Sequence, residues 1–84
     1  MYEVLLERQA ERDLKRLRAA LFRRIIAAIR DLANDPRPAG CKKLVGSEGD
    51  WRIRVGDYRV LYEVNDAERV VRVMRVRHRR EAYR

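Results

Sequence analysis

The chain has 84 residues, a formal net charge of +8 at pH 7, one histidine and one cysteine, Cys41. A chain of this length folds as one domain, residues 1–84, around one small core, so we expect no extensive substrate cavity. The cysteine and histidine counts exclude a disulfide framework and a cysteine-rich zinc site within the chain, and we predict no metal and no small-molecule cofactor. The excess positive charge is mostly arginine, which favours a polyanionic partner: nucleic acid, an anionic membrane or an acidic protein.

The N-terminal residues show no pattern of a secretory signal peptide, because no positive leader precedes an apolar segment. No apolar run in the sequence approaches the length of a membrane-spanning helix. We therefore predict a cytoplasmic protein that has no membrane partner.

The first half of the chain predicts one strand and two helices. Residues 2–6 are β-prone but too few to stand alone, so we expect them to join later strands. Apolar residues then recur at steps of three and four as far as Asn34, which is typical of amphipathic helix. One helix over residues 8–34 would be ~40 Å long, too long for so small a domain to cover, so we predict a helical hairpin. Pro36 ends the second helix.

The second half predicts a loop and a meander. Residues 39–50 contain three glycines and are predicted to be a loop. Three consecutive antiparallel strands are predicted over residues 51–55, 58–64 and 69–77. Valines on both faces of the third strand predict a position covered on both sides. Residues 78–84 form a polar tail, and the order of elements predicts an α+β fold with one face of its sheet covered by helices.

Arginine occurs in alternation with apolar residues in the first two strands of this meander. Arg52 and Arg54 alternate with core-type residues, and Arg59 occupies the corresponding position in the next strand. We expect all three on the surface of one sheet face. Such a row is either the solvated face of a half-covered sheet or a phosphate-binding surface, since the guanidinium fork suits phosphate oxygens.

Six stretches of the sequence, in their order and spacing, carry a family resemblance. They are the Leu-rich helical hairpin, Asp-Pro-Arg-Pro at 35–38, Lys-Leu at 43–44, Trp-Arg-Ile-Arg at 51–54, Gly-Asp-Tyr-Arg-Val-Leu-Tyr at 56–62 and Val-Arg-His-Arg-Arg-Glu-Ala-Tyr at 76–83. Together they resemble the RelE/ParE superfamily of bacterial toxins of type II toxin–antitoxin systems, over nearly the whole chain. The resemblance implies a compact α+β fold and a cognate antitoxin partner that wraps the toxin.

The resemblance also implies one of two activities. RelE-type toxins cleave messenger RNA in the ribosomal A site, whereas ParE-type toxins inhibit DNA gyrase and lack the ribonuclease residues. The RelE-type catalytic positions fall on Arg52, Arg54, Arg59, Arg79 and Tyr83. All five hold suitable groups, which favours a ribosome-dependent, metal-independent endoribonuclease with ribosome and mRNA as partners. The best-known RelE pattern has lysine at the positions of Arg52 and Arg54. A third hypothesis for the function is an inactive relative that binds nucleic acid.

Two residues are candidates for proton transfer. Tyr83 is the candidate general base, and surrounding guanidinium groups lower the pKa of a phenol. His78 is the second candidate catalytic residue; the alternative is an ordinary exposed histidine at a strand end. Lys42 and Lys43 are predicted to contact RNA phosphates, and the alternative for each is a solvated surface lysine.

Overall fold

A computed structural model describes residues 1–46 and 49–80 of the chain. It confirms the predicted α+β fold, in which a helical pair packs on one face of a sheet. The elements in chain order are β1 (Glu3–Leu6), α1 (Arg8–Lys15), α2 (Ala19–Asp31), β2 (Lys42–Lys43), β3 (Asp50–Val55), β4 (Tyr58–Asn65) and β5 (Val70–His78).

The helical region is divided in two, as predicted, although no glycine or proline breaks it. At the end of α1 the amides of Arg16 and Leu17 bond three residues back, to the carbonyls of Asp13 and Leu14. Arg18 then adopts an extended conformation with ψ of 153° and α2 begins. The longest dimension of the fold is 35 Å, so one continuous helix of ~40 Å would project beyond the sheet that it must cover.

The sheet among the described residues has five strands in the order β1-β5-β4-β3-β2. β1 runs parallel to β5, and the other neighbouring pairs are antiparallel. The prediction of a plain loop over residues 39–50 was wrong at two points. Lys42 and Lys43 form the short edge strand β2 on β3, and Asp50 already belongs to β3. Two residues are too short for a pattern of alternation, so the sequence carries no signal for β2.

The third predicted strand is β5, but its valines do not indicate coverage on both faces. Leu61 pairs with Arg75 whereas Tyr62 pairs with Val73, so the register shifts and one extra residue bulges out of β5. Because a bulge offsets the alternation, Val73 and Val76 lie on the same, helix-covered side. The bulge, rather than a second covering layer, accounts for the odd spacing of these valines. His78, predicted to start the tail, ends β5.

The core lies between the helical pair and this covered face. Tyr62 is its largest fully buried side chain, and its hydroxyl donates a hydrogen bond to the carbonyl of Pro36 at 2.7 Å. This bond connects the centre of the sheet to the segment that leaves α2. The buried apolar residues are Ala10, Leu14, Ile25, Ile29, Leu32, Ile53, Val60, Tyr62, Val64, Val71, Val73 and Val76.

Asp13 attaches α1 to the part of β5 that β1 does not reach. Its carboxylate accepts hydrogen bonds from the amide of Val76 at 2.9 Å and from Arg75 Nε and Nη2 at 2.9 and 3.2 Å. β1 pairs with β5 only as far as Val73, so the amide of Val76 has no strand partner on that side. A carboxylate on α1 therefore replaces the missing strand.

Candidate nucleic-acid interface

The sheet face away from the helices carries two rows of basic residues. Arg54 on β3 lies opposite Arg59 on β4, which lies opposite Arg77 on β5. Directly opposed residues in antiparallel strands point to the same side, so three guanidinium groups cross the sheet side by side. A second row begins with Lys42 on β2 opposite Arg52 on β3.

A groove of about 390 Å³ lies over these rows. We call it the arginine groove; it is lined by Gly40, Lys42, Arg52, Arg54 and Arg59. It therefore combines four cationic side chains from three neighbouring strands with a residue of the loop before β2. Such a groove suits phosphate groups, because clustered positive charge between low-dielectric walls raises the local concentration of anions.

Arg59 is 9% exposed, so the expectation that it lies on the surface was wrong. Its strand is the middle one of the five, and Arg54 and Arg77 flank it on either side. Arg59 Nη1 donates to the carbonyls of Tyr58 at 3.1 Å and Gly56 at 3.5 Å. These bonds and the neighbouring side chains hold the guanidinium group at the base of the groove, with little of the rotational freedom of a surface arginine.

Gly56 makes the adjacent turn possible. It occupies the first position of the two-residue β3–β4 turn with φ of 60°, a conformation that side chains disfavour. Its carbonyl oxygen accepts from Arg54 Nε at 3.2 Å as well as from Arg59 Nη1. One backbone carbonyl thus orients two arginines of the groove.

His78 lies on the opposite side of the sheet from the arginine row. It pairs with Tyr58, and the two rings meet edge to face with centroids 5.4 Å apart. Its Nδ1 accepts a hydrogen bond from the amide of Arg80 at 3.3 Å, which leaves Nε2 to carry the proton in the neutral ring. The structure therefore brings His78 together with Tyr58 and does not place it beside Arg59.

Comparisons with known proteins identify the family. Residues 4–83 match the family described as ParE toxin of the type II toxin–antitoxin system, parDE. Toxin RelG of Mycobacterium tuberculosis is 32% identical over 84 residues, which covers 99% of this chain and 97% of the relative. The chain is a RelE/ParE-family toxin of a type II toxin–antitoxin system. Both branch names occur among these matches, so the choice between ribonuclease and gyrase inhibitor depends on the site.

Solved structures agree with the fold of this toxin. A chain of the archaeal RelE–RelB complex from Pyrococcus horikoshii superposes with a TM-score of 0.84 at 31% identity, and the match covers 96% of this toxin and 98% of that chain. The isolated RelE toxin of Escherichia coli superposes with a TM-score of 0.81 at 22% identity, covering 93% of this toxin and 84% of that chain. The E. coli structure supports the fold alone.

The remaining predicted site residues of the toxin are placed differently from one another. Lys43 pairs with Trp51, so it points to the other side of the sheet from Lys42 and does not line the arginine groove. Arg79 is exposed just after β5, where its amide donates to the carbonyl of Asp57 at 2.7 Å. Tyr83 lies outside the described residues, so its predicted role stays a prediction.

Two members of the site were not predicted from the sequence. Arg77 completes the arginine row, and its alternation with Val76 and His78 is a signal that could have identified it. Gly40, at φ of 89°, lines the groove from the preceding loop, and nothing in the sequence connects it with the arginines. Over residues 1–46 and 49–80 no helix is long and apolar enough to cross a membrane, and no group of metal-ligating side chains is present.

Proposed function

We propose that this toxin is a ribosome-dependent endoribonuclease that cleaves messenger RNA and so inhibits translation. The observation that supports the proposal is the arginine groove, in which Lys42, Arg52, Arg54 and Arg59 converge on one rigid sheet face. A sheet is a precise platform for a site, and Arg59 is held by two backbone carbonyls. The burial of Arg59 in the central strand therefore presents its guanidinium group to the groove in a fixed position.

The chemistry proposed for the groove uses the ribose 2′-hydroxyl as the nucleophile. This hydroxyl loses its proton and attacks the adjacent phosphorus, so that the P–O2′ bond forms while the P–O5′ bond breaks. The departing 5′-oxygen takes up a proton, which leaves a 2′,3′-cyclic phosphate and a 5′-hydroxyl. Negative charge accumulates on the phosphoryl oxygens in the transition state. Arg52, Arg54 and Arg59 stabilise that charge, because preorganised cationic donors act most strongly where charge develops. In this scheme the nucleophile comes from the RNA itself, and no metal is required.

Proton transfer is assigned to a different kind of residue. An arginine does not release its proton in the accessible pH range, so the groove itself supplies no general base. We assign the general base to Tyr83, and we assign Arg79 to stabilisation of transition-state charge together with the arginines of the groove. His78 is the weaker candidate, since it lies across the sheet from Arg59 and its Nδ1 already accepts from the amide of Arg80. Positioned acid–base groups contribute roughly 10²–10⁴-fold, so alignment of the RNA by the ribosome carries much of the rate.

The proposal includes a cognate antitoxin. The P. horikoshii relative was solved as a RelE–RelB complex, and the M. tuberculosis RelBE2 structure is likewise a toxin–antitoxin complex. We expect a small antitoxin protein to bind this toxin and neutralise it.

The alternative activity is inhibition of DNA gyrase. The observation that supports this alternative is the ParE description of the matched family.

Adjacent lysines on opposite sheet faces provide the test. Cleavage of messenger RNA on programmed ribosomes is measured for the wild type, Lys42→Ala and Lys43→Ala. Loss of one charge-assisted contact lowers kcat/KM by roughly tenfold, so Lys42→Ala is expected to show this loss while Lys43→Ala stays near wild type. Supercoiling by purified gyrase is measured in parallel. Intact messenger RNA together with inhibited supercoiling would replace the ribonuclease proposal with the gyrase alternative.

A further inference from the structure

A second basic depression adjoins the arginine groove. It has a volume of about 440 Å³ and lies between the start of α2 and the β3–β4 turn. We call it the turn pocket; its lining residues include Arg18, Leu21, Arg24, Arg54, Tyr58 and His78. Arg54 lines both depressions, so one side chain borders each of them.

Three guanidinium groups converge at the turn that separates the two depressions. Arg54 and Arg59 both donate to the carbonyl of Gly56. Arg24 Nη2 and Nη1 lie 3.6 and 3.7 Å from the position where a Cβ of the same glycine would stand, which is ordinary van der Waals distance. The guanidinium group of Arg24 therefore packs directly against the backbone of this turn.

The charges in the turn pocket are not balanced by acidic partners. Within the described ranges, neither Arg24 nor Arg54 forms an ion pair, and Asp57 is the one carboxylate among the lining residues. Clustered like charges repel one another, and a bound polyanion relieves that repulsion. The wall formed by Tyr58 and His78 adds an aromatic surface.

We propose that the turn pocket holds a backbone phosphate of the same messenger RNA strand that is cleaved in the arginine groove. The strand passes over Gly56, with Arg54 contacting the RNA on both sides of the turn and Arg24 contacting the flanking phosphate. Proteins that bind single-stranded nucleic acid combine a positively charged groove with aromatic side chains in this way. The inference rests on the proposed ribonuclease function and adds to it a binding residue on α2.

The test combines protein variants with altered RNA. A series of messenger RNAs is prepared in which each RNA has one neutral methylphosphonate linkage, at a different position on either side of the A-site codon. Cleavage of each RNA on programmed ribosomes is measured. Arg24→Ala is compared with Arg23→Ala, which removes an equal charge from the neighbouring residue of α2. Arg23 is exposed and lines neither depression.

The expected result is a loss of roughly tenfold in kcat/KM for Arg24→Ala on unmodified RNA. At one flanking linkage the methylphosphonate lowers wild-type cleavage by a similar factor but has little further effect on Arg24→Ala, because both changes remove the same contact. The effect of Arg23→Ala on cleavage is expected to be additive with the effect of the methylphosphonate at every linkage.

Two outcomes overturn the inference while the ribonuclease function stands. In the first, wild type cleaves and Arg24→Ala cleaves as well as Arg23→Ala. In the second, Arg24→Ala is impaired but additive with every linkage, which places its contact on ribosomal RNA instead. Failure of the wild type to cleave on programmed ribosomes is a separate result, which refutes the proposed function itself. Equal thermal midpoints for the two variants exclude misfolding as the cause.

Discussion

Replacement of Arg59 tests most directly whether the buried arginine serves catalysis. Arg59→Ala removes the central cation of the arginine row and leaves the carbonyl of Tyr58 without that donor. The carbonyl of Gly56 keeps its bond from Arg54 Nε. Arg59→Lys is the matched variant, since it retains the charge but not the planar guanidinium group with its five N–H donors.

Two effects of Arg59→Ala must be separated, because the side chain is 9% exposed rather than a surface group. Loss of hydrogen bonds from a charged donor costs about 1–3 kcal/mol of unfolding free energy. In a domain of this size each kcal/mol lowers Tm by about 4–8 °C. A donor aimed at transition-state charge is worth roughly 10²–10³-fold in kcat. Even a domain with about 5 kcal/mol of stability stays largely folded at 25 °C after such a loss.

The measurement is single-turnover cleavage on programmed ribosomes at 25 °C, with the folded fraction of each variant determined by urea denaturation. We expect Arg59→Ala to lose at least roughly 10²-fold after correction for folded protein, and Arg59→Lys to fall between it and wild type. Cleavage by Arg59→Ala within about threefold of wild type would refute the assignment. The burial of Arg59 would then be a purely structural feature of β4.

Two further predictions concern stability. Asp13→Ala removes three hydrogen bonds to Arg75 and Val76, so we expect it to lower the free energy of unfolding by about 3 kcal/mol. We expect a smaller loss for Asp13→Asn. Equal unfolding curves for Asp13→Ala and wild type would contradict this prediction. Burial raises the pKa of Tyr62 well above its ordinary value of about 10. The unfolded chain therefore ionises this tyrosine first, so its stabilisation is complete below pH 10 and declines as the pH rises above it. The free energy of unfolding is measured at pH 8 and at pH 11. We expect it to fall less between these pH values for Tyr62→Phe than for wild type, and we expect Tyr62→Phe to be about 1 kcal/mol less stable than wild type at pH 8. An equal fall for the two proteins would refute the role of Tyr62.

Much of the fold follows from local patterns in the sequence. The change of hydrophobic period from helical to alternating separates α1 and α2 from the meander, because these periods decide which side chains can share one apolar face. The Gly56-Asp57 turn was recognisable from residue type alone. The same alternation placed Arg52 and Arg54 on one sheet face, which their cross-strand partners confirm.

Features that depend on neighbouring strands could be decided only by the tertiary structure. Alternation places a residue on a face but does not say which strand lies beside it, so the row of Arg54, Arg59 and Arg77 required the register of β3, β4 and β5. The burial of Arg59 follows from the central position of β4, which no local pattern encodes.

The short edge strand β2 and the turn pocket are two further features that could not be predicted from local sequence. Lys42 and Lys43 are adjacent and chemically identical, yet pairing with β3 sends them to opposite faces of the sheet. Arg24 reaches Gly56 from a helix 32 positions earlier in the chain because α2 folds back over the end of the hairpin. Charge and residue type can be read along a chain, whereas the convergence of charges at one point depends on packing between elements that are distant in sequence.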